Sequence, residues 1–291
     1  MSPPGVELTT VPFFPQKRYQ CGPAALATVL NYYGHRTTPQ QLRPRMYLPA
    51  RGGSLAMELT AAGRAFGMVA YPLAPRWEDL LEELRAGHPV IVLQNLRLSW
   101  WPQWHYAVVI GYDSRAGSVI LRSGRERRRR TSLHRFLRTW GRSGYWARVF
   151  VPPGELPASA EPVAYLQAVS DLEQTGRLEA AYAAYKAAIA YWPDNVIAWI
   201  GAGNTALRRQ QPEISEYHFR HATRAAPRNV AAWNNLAYSL LARGCTAGAK
   251  DAVQCAVRLA PRDERIRQSW REIRLVTMRA AEHCAPVVCP E

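Results

Sequence analysis

Gln16-Lys17-Arg18-Tyr19-Gln20-Cys21-Gly22-Pro23-Ala24-Ala25-Leu26 is the stretch from which the fold is read. Pro23 suits the first turn of a helix, where its missing N–H costs nothing. Behind it, Ala24, Ala25, Leu26, Ala27, Val29 and Leu30 can bury a helix on most sides. Cys21 therefore falls at a helix N-terminus. The macrodipole there favours a thiolate and is expected to lower the thiol pKa.

A thiol nucleophile needs a base. Trp104-His105-Tyr106-Ala107-Val108-Val109-Ile110-Gly111-Tyr112 is apolar, β-branched and aromatic, and reads as a buried strand with His105 at its start. Taken singly, Cys21 reads as a core residue and His105 as a structural one. Their pairing, with Gln16 five residues before the cysteine, favours chemistry.

On Gln16, Cys21-Gly22-Pro23-Ala24-Ala25-Leu26 and His105-Tyr106-Ala107-Val108-Val109, the chain resembles the double-glycine leader peptidases. These are papain-like cysteine peptidases that cut bacteriocin precursors after Gly-Gly. The resemblance covers roughly residues 8–150. It implies an α+β papain-like domain with Cys21 as nucleophile and His105 as general base. It also implies an oxyanion hole made by the Gln16 carboxamide and the Cys21 N–H. In that family an Asp on the strand after the histidine orients the imidazole.

Here the return strand, Val119-Ile120-Leu121-Arg122-Ser123, offers no acid. Asp113 lies eight residues, roughly 26 Å, along the strand from His105 and cannot orient it. A turn centred near Ser114 sets residue 123 opposite residue 105, so Ser123 is the expected neighbour of the imidazole. A hydroxyl stabilises an imidazolium less than a carboxylate does. A slow peptidase, an orienter from elsewhere and an inactive relative all remain open.

Elsewhere in this region, Val6 to Phe14 reads as an extended lead-in. Helices are expected over 23–33, from Thr38-Pro39, over 55–66 and over 77–85, with Gly34, Gly67 and Gly87 as stops. Strands are expected over 68–71, 89–96 and 145–151. Gly52-Gly53 raises self-processing, but a turn before a helix explains it. Trp100, Trp101 and Trp104 crowd the approach to His105. Trp101, Trp104 and Gly22 are assigned to substrate binding, with aromatic anchoring of a loop as the alternative for the tryptophans. Arg125 and Arg127 to Arg130 read as a solvated loop or hairpin edge, where like charge discourages further pairing, in preference to an acidic-partner patch. His134 reads as an exposed helix residue.

Pro152-Pro153-Gly154-Glu155-Leu156-Pro157-Ala158 marks a boundary. From about residue 161 the sequence repeats every 34 residues. Tyr165, Trp199 and Trp233 are in register, as are Gly176, Gln210 and Gly244. Tyr185, Phe219 and Val253 follow, then Ala188, Ala222 and Ala256, and then Pro193, Pro227 and Pro261. Period and pattern match the tetratricopeptide repeat. The expected organisation is a peptidase domain over 1–151, a linker over 152–160, three repeats with a closing helix over 161–283, and a tail over 284–291. The repeats' concave face is expected to bind a protein partner. Asn195 and Asn229 read as helix caps; Asn204, Asn234 and Asn235 are candidates for holding a peptide backbone.

The formal charge of the 291 residues is +15, and lysine occurs only at 17, 186 and 250. Such a charge attracts acidic surfaces, but no nucleic-acid-binding motif accompanies it, so specific nucleic-acid binding is not expected. No apolar run is long enough to span a membrane. The start, Met1-Ser2-Pro3-Pro4-Gly5, lacks an apolar export core; this implies a cytoplasmic protein if native, or an envelope or periplasmic one if a signal was trimmed. Of five cysteines, Cys245 and Cys255 read as core fillers, and Cys284 with Cys289 as a local disulfide if the protein is exported. No metal-ligand spacing appears, and no cofactor is implied. Three readings follow: a cysteine peptidase whose repeats recruit a peptide or protein substrate, a peptidase fold that binds a Gly-rich tail without cutting it, and an amide-transferring or amidase thiol enzyme.

Overall fold

In a computed structural model, described for residues 5–16, 20–46, 55–277 and 284–289, the chain forms two compact units, Met1–Arg177 and Leu178–Glu291. Gly52-Gly53 lies outside the described residues.

The first unit is built on one antiparallel sheet. Its strands are β1 (Val6–Glu7), β2 (Val69–Pro72), β3 (Val90–Asn95), β4 (Trp104–Asp113), β5 (Ser118–Ser123), β6 (Glu126–Ser132) and β7 (Ala147–Val151). They pair in the order β2-β7-β3-β4-β5-β6, with β1 also on β4. Five helices accompany them: α1 (Cys21–Tyr32), α2 (Pro39–Met46), α3 (Ala56–Ala65), α4 (Trp77–Arg85) and α5 (Leu133–Gly141). Residues Gly22 to Leu30 of α1 are all buried. Its alanines and Leu26 pack on Tyr106, Val108 and Ile110 of β4, and Leu42, Leu59 and Phe150 complete the cluster. A helix enclosed on all sides needs apolar residues all round, which is what Ala24 to Leu30 supply.

The arginine run forms β6, at the end of the sheet order. Arg128 pairs with Glu7 and Arg130 with Asp113. The β4–β5 hairpin has a bulge between Val109 and Gly111. It sets Val108 opposite Arg122, and the same register carried one step further brings Ser123 opposite Ala107, not opposite His105 as the sequence register had it. The reason is the turn: Asp113 faces Ser118, so the hairpin is centred between residues 115 and 116 instead of near Ser114, and the extra residue of the bulge cuts the resulting three-residue offset to two.

The Pro-rich segment after β7 is tied down. The wholly buried Glu83 carboxylate accepts from Ser159 N–H and Oγ and meets His88 Nδ1 at 2.7 Å. Tyr71 Oη donates to Ser159 O and accepts from Glu161 N–H, both at 3.0 Å. Helix α6 (Pro162–Gln174) then packs on β2 within the same unit.

The second unit is helical: α7 (Leu178–Tyr191), α8 (Val196–Arg208), α9 (Pro212–Ala225), α10 (Val230–Ala242), α11 (Thr246–Leu259) and the closing α12 (Glu264–Arg274). The 34-residue repeat is legible in its contacts. Trp199 Nε1 donates to Pro193 O and Trp233 Nε1 to Pro227 O, both at 2.7 Å. A Cβ at Gly201 or Gly203 would collide with the ring of Tyr185 or Phe219, so helices approach closely there. Gly176, Gln210 and Gly244 all take left-handed backbone. Asn195 and Asn229 cap α8 and α10.

The cysteines do not pair as the sequence spacing suggested. Cys284 bonds Cys245 and Cys289 bonds Cys255, stitching an extended strap, residues 284–289, along α11. The reason is the helix: Cys245, at the N-cap of α11, and Cys255 are about 15 Å apart along it. Five extended steps span about 16 Å, so the strap's two thiols match two helix positions instead of each other. Among the described residues, no helix is long and apolar enough to cross a membrane.

Candidate active site

Cys21 opens α1, mostly buried, and is the free cysteine of the described residues. Main-chain groups of Tyr106, Gly22 and Cys21 itself favour its thiolate form. The last two are unpaired donors of a helix N-terminus. The first belongs to the residue next to His105. Buried Gly22 thus supplies an N–H from the first turn.

Gln16 explains how a helix tip reaches the middle of the sheet. Its Nε2 donates to Tyr106 O at 3.2 Å, and its Oε1 accepts from Gly124 N–H at 3.0 Å. Its own N–H donates to Gly124 O at 2.8 Å. Tyr106 and Gly124 would be the next rung of the β4–β5 ladder beyond Val108 and Arg122. The Gln16 carboxamide stands in for that rung and holds the two strands apart. Buried Arg122 steadies the lead-in from the other side, donating through Nε and Nη2 to Val11 O at 3.0 and 2.7 Å. The second amide N–H of Gln16 makes none of these bonds.

His105 Nε2 lies 2.8 Å from Ser123 Oγ. The structure therefore brings these two together across the hairpin, although diagonally and not face to face. Two residues along a strand leave on the same face, so the two-residue offset keeps Ser123 on the imidazole's side. Asp113 is engaged elsewhere: its Oδ1 accepts from Arg115 and Ala116 N–H in the hairpin turn.

The electrostatics depart from expectation. Burial pushes the Cys21 thiol up, and the three main-chain groups offset this only in part. Desolvation penalises an anion more than one helix end repays. Burial, helped by the Arg129 guanidinium, lowers His105 to about 4. At neutral pH the resting groups are a thiol and a neutral imidazole, not an ion pair.

Trp100, Trp101 and Trp104 are exposed, at 77%, 62% and 52%. Trp100 and Trp101 line a groove of about 630 Å³ with Arg97, Arg138 and Arg142, and that groove does not include His105. Trp104 pairs with Asn95 at the start of β4, one residue before His105 along the strand. Gln94 sits opposite His105, and sequence reasoning gave it no role; it donates to Thr139 Oγ1 at 2.7 Å and fixes the strand's position on α5. No group of histidine, cysteine, aspartate and glutamate fit to hold a metal occurs among the described residues.

Residues 8–147 match the Peptidase_C39 like family. A C39-like peptidase from Bacillus anthracis aligns at 20% identity over 51% of this chain and 98% of its own, with a TM-score of 0.45. A double-glycine-motif protease from an AMS/PCAT transporter, solved with a leader peptide, aligns at 22% identity over 48% of this chain and 90% of its own, with a TM-score of 0.36. The Sgt2 TPR domain from Aspergillus fumigatus aligns at 16% identity over 42% of this chain and 80% of its own, with a TM-score of 0.38. No curated protein matches. Residues 8–147, which carry the sheet, are the part of this chain that matches the Peptidase_C39 like family, and paired helices with a 34-residue sequence period follow them.

Proposed function

We propose that the first unit is a cysteine peptidase that cuts a peptide or protein substrate, after Gly-Gly by the family resemblance, and that the repeats recruit substrate or partner. The observation that carries this reading is the meeting of the Cys21 sulfur with the main chain beside His105, whose far nitrogen is held by Ser123. With the ring proton on Nε2 and donated to Ser123 Oγ, Nδ1 is left as the base. It takes the thiol proton as sulfur attacks the scissile carbonyl. The Cys21 N–H and the spare Gln16 N–H receive the oxyanion. Collapse forms the thioester, and the imidazolium returns the proton to the leaving amine. Water then hydrolyses the thioester, with Nδ1 again the base. Gly22, without a side chain, and Trp104 flank the path of the substrate.

Incubation of the full chain with Gly-Gly-containing peptides, read by mass spectrometry, tests this. Cleavage abolished by Cys21→Ala supports it; no cleavage of any such peptide, with Cys21 unreactive to a thiol probe, counts against it. One observation favours a second reading, a peptidase fold that holds its peptide uncut: both resting groups are shifted toward their neutral forms and the charge reaching His105 is positive. Saturable binding of a Gly-Gly peptide without turnover would favour that reading.

The domain division goes with this reading: chemistry in residues 1–151, protein binding in the repeats that follow residue 160. On the repeats, Asn235 Nδ2 donates to Asn204 Oδ1 at 2.9 Å and Asn234 Nδ2 to Asn235 Oδ1 at 3.3 Å, so the three asparagines form one polar row across the first helices.

A further inference from the structure

The strap shows how this repeat array holds an extended chain. Residues 284–289 run along α11 in the space between it and α9. Arg220 of α9 donates through Nη2 to Ala285 O at 2.8 Å and through Nη1 to Pro286 O at 3.0 Å. Val287 packs beside Leu240 over Gly248, and Cys289 reaches the Asp251 carbonyl. The recognition is of main-chain carbonyls by one cation and of small apolar side chains by the helix surface. Neither depends on the disulfides that lock the strap.

One repeat earlier the same space is open. Between α7 and α9 lies a groove of about 520 Å³ lined by Tyr182, Lys186, Trp199, Ile214, Tyr217 and His218, among others. These positions match the occupied groove in the 34-residue register. Lys186 corresponds to Arg220, Trp199 to Trp233, Ile214 to Gly248 and Tyr217 to Asp251. Gln211 and His221 stand where Cys245 and Cys255 anchor the strap, so this groove has no covalent latch. Its walls are more aromatic than those of its neighbour. Lys186 Nζ sits 5.1 Å from the centre of the Tyr182 ring, and Tyr217 is half-exposed against His221 at 4.5 Å. Two polar atoms there are buried with no partner: His218 Nδ1, whose Nε2 is taken by Tyr182 Oη, and Gln211 Oε1.

We infer that the α7–α9 groove is a second peptide-binding site, and that it takes an extended, uncharged segment of a partner protein containing proline and small apolar residues. The segment lies along α9 as the strap lies along α11. Its carbonyls accept from Lys186 as those of Ala285 and Pro286 accept from Arg220. A prolyl ring rests against Tyr182, Trp199 and Tyr217, a lining that suits extended proline-containing chains. Ile214 raises the floor above the level of Gly248, which selects small side chains. This surface joins the second helices of successive repeats, whereas the Asn204–Asn235 pair joins the first helices. It does not rest on the peptidase reading.

The test uses the full chain, disulfides intact, and a fluorescein-labelled peptide with the strap's sequence and serine for cysteine, Ser-Ala-Pro-Val-Val-Ser. Fluorescence polarisation should show saturable binding in the micromolar to submillimolar range. Lys186→Met should weaken it about fivefold and Lys186→Arg should restore it to within about twofold; Ile214→Asp, at a partly exposed position in the first turn of α9, should weaken it about tenfold. Circular dichroism melts identical to the parent show that the variants fold. Cys21→Ala should bind as the parent does, so a failed peptidase reading leaves this result standing. No saturable binding, or equal affinity in Lys186→Met and Ile214→Asp, overturns the inference. So does a dimer that Ile214→Asp dissociates, because the occupant would then be a second copy of the chain.

Discussion

Ser123 and Cys21 carry the residue-scale expectations. If Ser123 Oγ accepts the His105 Nε2 proton, Ser123→Ala should lower kcat/KM about tenfold, with the histidine freed to rotate. Asp113→Ala should leave turnover unchanged and lower stability slightly, as it removes a turn acceptor and an exposed ion pair with Arg130. The reverse pattern would dismiss Ser123 as the orienter. A thiol raised by burial should alkylate with iodoacetamide at a rate that climbs through the alkaline range. A preformed thiolate would instead react at pH 5–6. The His105 shift has a stability consequence with a definite sign. The imidazole ionises near 6.5 when unfolded and about 4 when folded, so the unfolded chain binds more protons between those values. Stability should hold above pH 6.5 and fall as pH drops toward 4, and His218, also lowered to about 4, adds to the fall. Denaturant midpoints at pH 7 and pH 5 check this; His105→Gln and His218→Gln should each flatten the dependence.

At the scale of elements, two devices decide local geometry. Gln16 replaces one rung of the β4–β5 ladder, so Gln16→Ala should leave Tyr106 O and Gly124 N–H unpaired and cost roughly 1–3 kcal/mol in addition to any loss of turnover. Gln210 takes the left-handed turn that glycine fills at 176 and 244. Gln210→Gly should therefore stabilise the chain by about 1 kcal/mol, read by urea denaturation. Much of this was legible in advance. The helix from Pro23, its stop at Gly34, the buried strand after Trp104 and the phased prolines each follow from local rules, and each is seen. The bulge at Val109–Gly111 was not legible, because an extra residue in a strand leaves no mark on an apolar run. The turn also centres one and a half residues later than its sequence suggested, and the bulge brought the resulting offset to an even number, which kept Ser123 on the face of His105. The pKa directions were missed for a different reason: a sequence marks a helix end, but not how much hydrocarbon surrounds it.

For the molecule as a whole, the cysteine pairing was the least legible feature. Cys284 and Cys289 look like partners because they are close in sequence, yet a helix ladder of matching length lies beside them. The two latches close loops of 39 and 34 residues. Each is expected to contribute about 3–4 kcal/mol on its own, and less together because the loops overlap. Reduction with dithiothreitol should lower the repeat unit's denaturant midpoint by a corresponding amount and leave that of the first unit in place; equal loss in both would refute a local role for the strap.

The same oxidants that close these two bonds would attack any accessible sulfur left over. Cys21 is that sulfur. Sulfenic acid formation and disulfide exchange both run through the thiolate, and its burial keeps that form scarce. A site that looks poorly poised for attack is, by the same physics, shielded from inactivation in surroundings oxidising enough to seal its own C-terminal segment.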